Sequence, residues 1–262
     1  MLVTDQLRCA RHGQVLLQNV SLTLSAGEVL GILGANGAGK STLLATLAGE
    51  IPPDAGSLQW AGKPVAQFSP AMLARQRAVL PQSATLSFDL TVADIVAAGA
   101  YPFLELSPAA VAGLVTRALD LMDATAFYRR RYLQLSGGEQ QRVQMARVLV
   151  QVLACRRPEE PRLLLLDEPT ANLDPKHQLL LLRAMEAVAR DDHIAVCMVL
   201  HDVNLAAAHC DHLLLLAQGR VAAYGTPRET LTPDVLQAVY DIRASVLPHP
   251  YAPERPLVLF DH

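Results

Sequence analysis

Residues 29–42 constrain this chain more than any other stretch. Val29-Leu30-Gly31-Ile32-Leu33 is a short apolar run, as expected of a strand buried on both faces. Gly34-Ala35-Asn36-Gly37-Ala38-Gly39 follows, then Lys40-Ser41-Thr42 and an apolar helix through Leu47. Gly34-x-x-x-x-Gly39-Lys40-Ser41, set between strand and helix, is the phosphate-binding loop pattern in its required context. Glycines let backbone N–H groups turn inward around a phosphate without Cβ clashes. The helix starting near Lys40 adds the positive end of its dipole. Lys40 places a charge between two phosphates, and the Ser41 hydroxyl suits Mg²⁺. The pattern points to a nucleoside triphosphate, without saying what its energy serves.

The rest of the chain extends this unit. Residues 15–24 alternate over their second half and predict a half-buried strand. Residues 50–64 suit a loop and a hairpin (Ser57–Trp60, then Lys63-Pro64), with Trp60 packing inside it. Val79-Leu80-Pro81-Gln82 reads as a strand end. From about Thr91 to Tyr132 the pattern is helical and Ala-rich, with breaks at Pro102 and Pro108. A second α/β stretch follows. Its helices are expected from about Gly138 to Leu153, from about Pro175 to Arg190, and over Val203–His209. Its strands are expected at Leu163–Leu166, Ala195–Leu200 and Leu213–Leu216, with a hairpin around Gln218-Gly219. Strands alternating with helices predict a largely parallel, doubly covered sheet. Residues 244–262 hold four prolines and read as an irregular tail.

Composition excludes several classes. A length of 262 residues suits one large domain or two small ones, at roughly 100–200 residues each. Lys and Arg number 22 against 25 Asp and Glu, for a net charge of -3, and aromatics are 5%. That lacks both the basic stripe and the stacking platforms of a nucleic-acid binder. The longest charge-free stretch, His12 to Gly27, has 16 residues, below the roughly 18 of a spanning helix. The N-terminal MLVTDQLRCARHG has no apolar signal region, so no export is expected. Cys9, Cys155, Cys197 and Cys210 form no C-x-x-C pair, which suits a reducing compartment. The hydrophobic fraction of 51% points to a buried parallel sheet, an apolar partner surface, or both.

Leu135-Ser136-Gly137-Gly138-Glu139-Gln140-Gln141-Arg142 narrows the function. Ser136 can cap the helix that follows, and the bare N–H groups of Gly137 and Gly138 offer a second anion site. Two anion sites in one chain, one of them lacking a lysine, meet on one phosphate in a head-to-tail homodimer. LSGGEQQR together with GANGAGKST resembles the ATP-binding cassette (ABC) transporter ATPases, in the family's motif order, to about residue 240.

That resemblance implies an α/β P-loop NTPase fold: a RecA-like mixed sheet flanked by helices, an antiparallel β subdomain and an inserted helical subdomain. The whole chain, 1–262, would be one ATPase domain. Its α/β core would span 1–82 and 133–243, its helical subdomain 83–132 and its tail 244–262. The resemblance also implies ATP with Mg²⁺, contacted by Gly34, Ala35, Asn36, Gly37, Ala38, Gly39, Lys40, Ser41 and Thr42. Ser136, Gly137, Gly138 and Asp174 would reach the nucleotide in trans. Leu163 to Leu166 lead into Asp167 and Glu168. Asp167 would hold Mg²⁺ through water, and Glu168 would be the general base. His201 looks like the switch histidine that contacts the γ-phosphate and orients Glu168 and water. Gln82 looks like the Mg²⁺ and water ligand at the joint with the helical subdomain. Ala171-Asn172-Leu173-Asp174 stands where the family usually reads SALD. His12 stands where the family commonly stacks an aromatic on adenine. Stacking and a solvated loop histidine both fit it. His209-Cys210-Asp211-His212 holds metal-ligand types, but helical neighbours diverge by about 100°, and no metal is expected there.

Within the family the chain resembles importers of iron chelates, haem and cobalamin. The residues that carry this are Phe88 to Val96 (FDLTVADIV), Ala98 to Pro102 (AGAYP), Leu200 to Ala207 (LHDVNLAA) and Gly225-Thr226-Pro227. A narrower resemblance is to the hemin-import ATPases, through the long segment from Val148 to Arg162, Leu215 to Gly219, and the His249-Pro250 ending. It implies a membrane permease dimer as partner and, indirectly, a periplasmic haem-binding protein. The place implied is peripheral, at the cytoplasmic face of the inner membrane. Cobalamin or ferric siderophore import, export, and a soluble ABC ATPase outside transport are the alternatives. A non-catalytic module would lack Glu168 or His201, and both are present.

Overall fold

A computed structural model describes residues 1–11, 13–82, 89–154 and 160–261. Three sheets form among these residues. The first is antiparallel, built from β1 (Leu2–Arg11), β2 (Gln14–Leu24), β4 (Ala55–Trp60) and β5 (Lys63–Pro64) in the order β2-β1-β4-β5. The second contains β3 (Val29–Gly34), β6 (Arg77–Leu80), β7 (Leu163–Asp167), β8 (Ala195–Val199), β9 (His212–Ala217) and β10 (Arg220–Gly225). Its order is β10-β9-β3-β8-β7-β6, parallel except for the β9–β10 hairpin. The mixed sheet and the separate antiparallel sheet match the expected fold class.

The unbroken apolar runs have a direct cause. Along β7, Leu164 and Leu166 enter one core while Leu163 and Leu165 enter another. Along β8, Val196 and Met198 split from Ala195, Cys197 and Val199 in the same way. On one face lies α1 (Lys40–Leu47), roofed by the antiparallel sheet through Leu17, Val20 and Leu24. On the other lie α5 (Gly137–Leu153) and α6 (Pro175–Asp192). Against α5 pack α3 (Val92–Ala97) and α4 (Pro108–Leu121).

Several boundaries are set by caps. Thr91 and Asp94 close a capping box at α3. Pro108 begins α4 behind its Ser107 cap rather than breaking a helix. Trp60 is buried, and its indole N–H donates to Gln76 Oε1 at 3.0 Å. Gln76 ends α2 (Pro70–Gln76). No helix among the described residues is long and apolar enough to cross a membrane.

The C-terminal end differs from its expected irregularity. After α7 (Val203–His209), β9 and β10 come α8 (Pro227–Thr230) and α9 (Pro233–Tyr240). Then β11 (Ala244–His249) and β12 (Ala252–Phe260) pair as an antiparallel ribbon. Proline is excluded where a strand must donate on both sides, but a two-stranded ribbon has free edges. Pro248 lies opposite Pro256, at a pair that needs no N–H from either. The prolines are placed at positions the ladder does not use.

Candidate active site

The glycine loop leaves β3 at the carboxyl end of the parallel sheet, beside both β8 and β9, where open α/β sheets hold ligands. Gly39 precedes α1 at φ 101, with no side-chain cap, so the first N–H groups of α1 have no side-chain acceptor. A Cβ on Gly39 would meet Leu16 O at 2.9 Å, and one on Gly34 would meet Leu216 O at 2.4 Å. At Gly39 and Gly34 the loop therefore nests against β2 and β9 too closely for a side chain. The Lys40 ammonium donates to Gly34 O at 2.8 Å and Ala35 O at 3.0 Å. Burial pushes its pKa down, while the carboxylates of Glu168 and Asp167 oppose that shift.

Lys40, Ser41, Thr42, Gln82 and Glu168 line one cleft of about 370 Å³ together with Asn36, Gly37, Gly39 and Leu16. Ala35 and Ala38 lie outside this lining, on a neighbouring cleft with Gln237 and Asp241. Asp167 closes β7 and is buried. Burial pushes its carboxyl up, the Ser41 hydroxyl pulls it down, and Glu168 adds to the rise. Its Oδ1 is buried without a hydrogen-bond partner. An orphaned carboxylate oxygen beside a serine hydroxyl fits a hard, oxygen-seeking divalent cation.

Glu168 stands at φ 51, in the left-handed region that costs a branched-off side chain energy. That turn, directly after β7, carries its carboxylate to His201: Nε2 lies 2.8 Å from Oε1. His201 follows β8, whose end is tied by Leu200 N–H to Ile32 O at 3.1 Å. The next residue, Asp202, caps α7 by accepting from the N–H groups of Asn204 and Leu205. A glutamate and a histidine 33 positions apart in the chain are thus joined at the mouth of the phosphate loop.

The second glycine pair lies elsewhere on the chain. Ser136 caps α5 by accepting from Glu139 N–H at 3.4 Å, and Glu139 accepts from Ser136 N–H at 2.7 Å. A Cβ on Gly137 would meet nothing within 4 Å, whereas one on Gly138 would stand 2.9 Å from Asn172 O. Gly138 is thus required by the loop that carries Asp174. Asp174 caps α6 and also binds His177 Nδ1 at 2.7 Å. None of Ser136, Gly137, Gly138 or Asp174 lines the cleft around Lys40. Gln141 and Gln178 brace the same loop through Pro169 O and Thr170 O. Gln141 falls within the LSGGEQQR stretch and Gln178 in no motif, but neither bracing contact is legible there, because the partners are set by the packing of α5 and α6.

His12 lies outside the described residues, as do Phe88 and Cys155. The cluster at 209–212 disperses. His209 pairs with Glu186 at 2.6 Å, and Cys210 packs on Gly31. Asp211 accepts from Val29 N–H, and His212 faces Glu28 and Tyr224.

A family model described as ABC transporter matches residues 17–171. The hemin import ATP-binding protein HmuV of Bordetella pertussis is 54% identical over 97% of this chain and 97% of its own length. The protein of the same name from Pseudomonas putida is 45% identical, covering 95% of this chain and 96% of itself. A metal-chelate type ABC transporter solved in an inward-facing conformation superposes with a TM-score of 0.82 at 26% identity. That superposition covers 100% of this chain and 97% of the other.

Proposed function

The chain belongs to the ABC transporter family, and from that premise we propose that it is the ATP-hydrolysing subunit powering hemin import through a membrane permease. The observation that carries the chemistry is the Glu168–His201 pair at the mouth of the glycine loop. Glu168 accepts the proton of the attacking water, and His201 fixes the carboxylate and meets the γ-phosphate. Lys40 leaves the carbonyls of Gly34 and Ala35 for the phosphates, and Gly34 to Thr42 cradle them. Ser41 and Gln82 would hold Mg²⁺ directly and Asp167 would hold it through water, where the ion would supply positive charge against the phosphoryl oxygens.

Two copies assemble head to tail. Ser136, Gly137, Gly138 and Asp174 of one copy complete the nucleotide site of the other, which explains why they stand apart from the cleft within a single chain. Binding of two ATP closes the dimer, and hydrolysis removes the bridge. The helical segment within 83–132, resting on α5, carries that motion to the permease at the cytoplasmic face of the inner membrane. A periplasmic binding protein delivers the hemin, which this chain never touches. The hemin assignment is supported by the extent of identity to the two hemin import relatives.

The test is ATP-driven transfer of hemin from the cognate binding protein into proteoliposomes holding the complex. Transfer by the wild type, lost in Glu168→Gln, is the expected result. Vigorous ATP hydrolysis without hemin transfer overturns the substrate and keeps the motor.

A further inference from the structure

The switch histidine sits between two supports of different strength. On its N-terminal side, β8 is a buried inner strand, with β3 and β7 on either side. On its C-terminal side, α7 has only seven residues, too few to hold its own position by helix formation alone. A cleft of about 390 Å³ opens between α7 and the C-terminal ribbon, lined among others by Asn204, Leu205, Ala208, Arg255 and Leu257. Val203, Ala206 and Ala207 of α7 share the apolar core with Val258 of β12. Beside the cleft, discrete polar contacts also tie α7 to the ribbon. Asn204 Nδ2 donates to Val258 O at 3.0 Å, and Val258 N–H donates to Asn204 Oδ1 at 2.8 Å. The side-chain amide of Asn204 thus behaves as one more rung on β12. At the far end, Arg255 Nη1 donates to Ala207 O at 2.7 Å and approaches Cys210 O at 3.5 Å, satisfying last-turn carbonyls that α7 cannot satisfy itself. The ribbon is anchored in turn by the Phe260 ring, edge-on to Tyr240 of α9 with centroids 6.0 Å apart.

We propose that the C-terminal ribbon is a clamp on α7, and that Asn204 and Arg255 are positioning residues that hold His201 against Glu168. Asn204 lies three residues after His201 and is joined to it through the Asp202 cap. A shift of α7 therefore moves the imidazole relative to the carboxylate. Neither Asn204 nor Arg255 lines the cleft of the glycine loop, so the clamp acts on the rate and leaves ATP binding nearly unchanged. The inference rests on the proposed roles of Glu168 and His201 as base and orienting partner.

The experiment compares wild type, Asn204→Ala, Arg255→Ala, Arg255→Lys and His201→Ala in the purified transporter complex, measuring kcat, KM for ATP and melting temperature. A misplaced catalytic group can cost up to about 100-fold in rate. The clamp predicts a five- to twentyfold fall, on the order of a partial misplacement, in kcat for Asn204→Ala and Arg255→Ala. KM should stay within about twofold, a change of roughly 0.4 kcal/mol. Arg255→Lys, which keeps a donor for Ala207 O, should recover most of the rate. Adding Asn204→Ala to His201→Ala should cost nothing further. A kcat within twofold of wild type in both alanine variants overturns the clamp. So does a KM that rises in step with the fall in kcat, or an equal loss in the His201→Ala background. Should Asn204→Ala fail to fold, the Arg255 pair decides alone. If His201→Ala itself keeps full activity, the roles assigned to the base pair fail, which is a distinct result.

Discussion

Glycine stands at the N-terminal boundary of both α1 and α5, and the two helices begin differently. α1 starts behind Gly39, which offers no side chain to its N–H groups, with a buried lysine as its first residue. α5 starts behind Ser136, which closes a reciprocal capping box with Glu139. The first end is satisfied only by water or by a ligand with acceptor oxygens. The second is already closed by its own side chains and is stable as exposed surface. A helix end left open suits the phosphate site proposed above. One that is capped yet flanked by an unhindered Gly137 suits a surface that meets a partner's nucleotide. In the head-to-tail dimer proposed above, the difference sorts the two ends: the open one cradles a chain's own nucleotide and the capped one meets the partner's.

The largest expected effect is at the open end. Glu168→Gln removes the proposed base and should lower phosphate release by about 10²–10⁴-fold while ATP binding persists. A variant that hydrolyses at the normal rate would remove Glu168 from the account. Gly39→Ala comes next. It forces a side chain into φ 101 and toward Leu16 O, which should destabilise the fold by about 2 kcal/mol, read from denaturant melts.

At the capped end the effect should be smaller. Ser136→Ala should cost about 1 kcal/mol of stability, a typical N-cap loss. The mildest prediction concerns pH. The bond from Ser136 N–H holds the Glu139 carboxyl below the usual carboxylate range. A lowered folded pKa contributes stability above the unfolded value of about 4.3, and loses it as pH falls through the folded value. The small difference in melting temperature between wild type and Glu139→Gln should therefore be present at pH 6 and vanish on acidification. A difference that grows toward pH 3 would contradict the capping box.

What was legible in the chain follows from whether the cause was local. The glycine loop, α5 and the Leu163–Asp167 strand are written in consecutive residues, and each appears within a residue or two of its expected bounds. β1 carried no such signal. Its alternation is broken by register shifts between Thr4 and Cys9, with Gln6 at φ 46. The ribbon at 244–260 was hidden by prolines that a two-edged pair tolerates. At the candidate site the motifs named the residues and implied the Glu168–His201 relation, but not the contacts that support it. The left-handed turn at Glu168, the contact of Gly138 with Asn172 O, and the Asn204–Val258 pair all arise from packing between distant segments. His12 remains an expectation outside the described residues.

The most direct test of the two-ended account is the mass in solution of the Glu168→Gln chain with saturating ATP, alone and combined with Gly137→Asp. Gly137 has open space around it, so the added carboxylate leaves the fold intact and repels a partner's phosphate. The account predicts twice the chain mass for Glu168→Gln, and a monomer that still binds ATP for the double variant. A Glu168→Gln chain that stays monomeric with ATP bound, or a double variant that dimerises equally well, would contradict it.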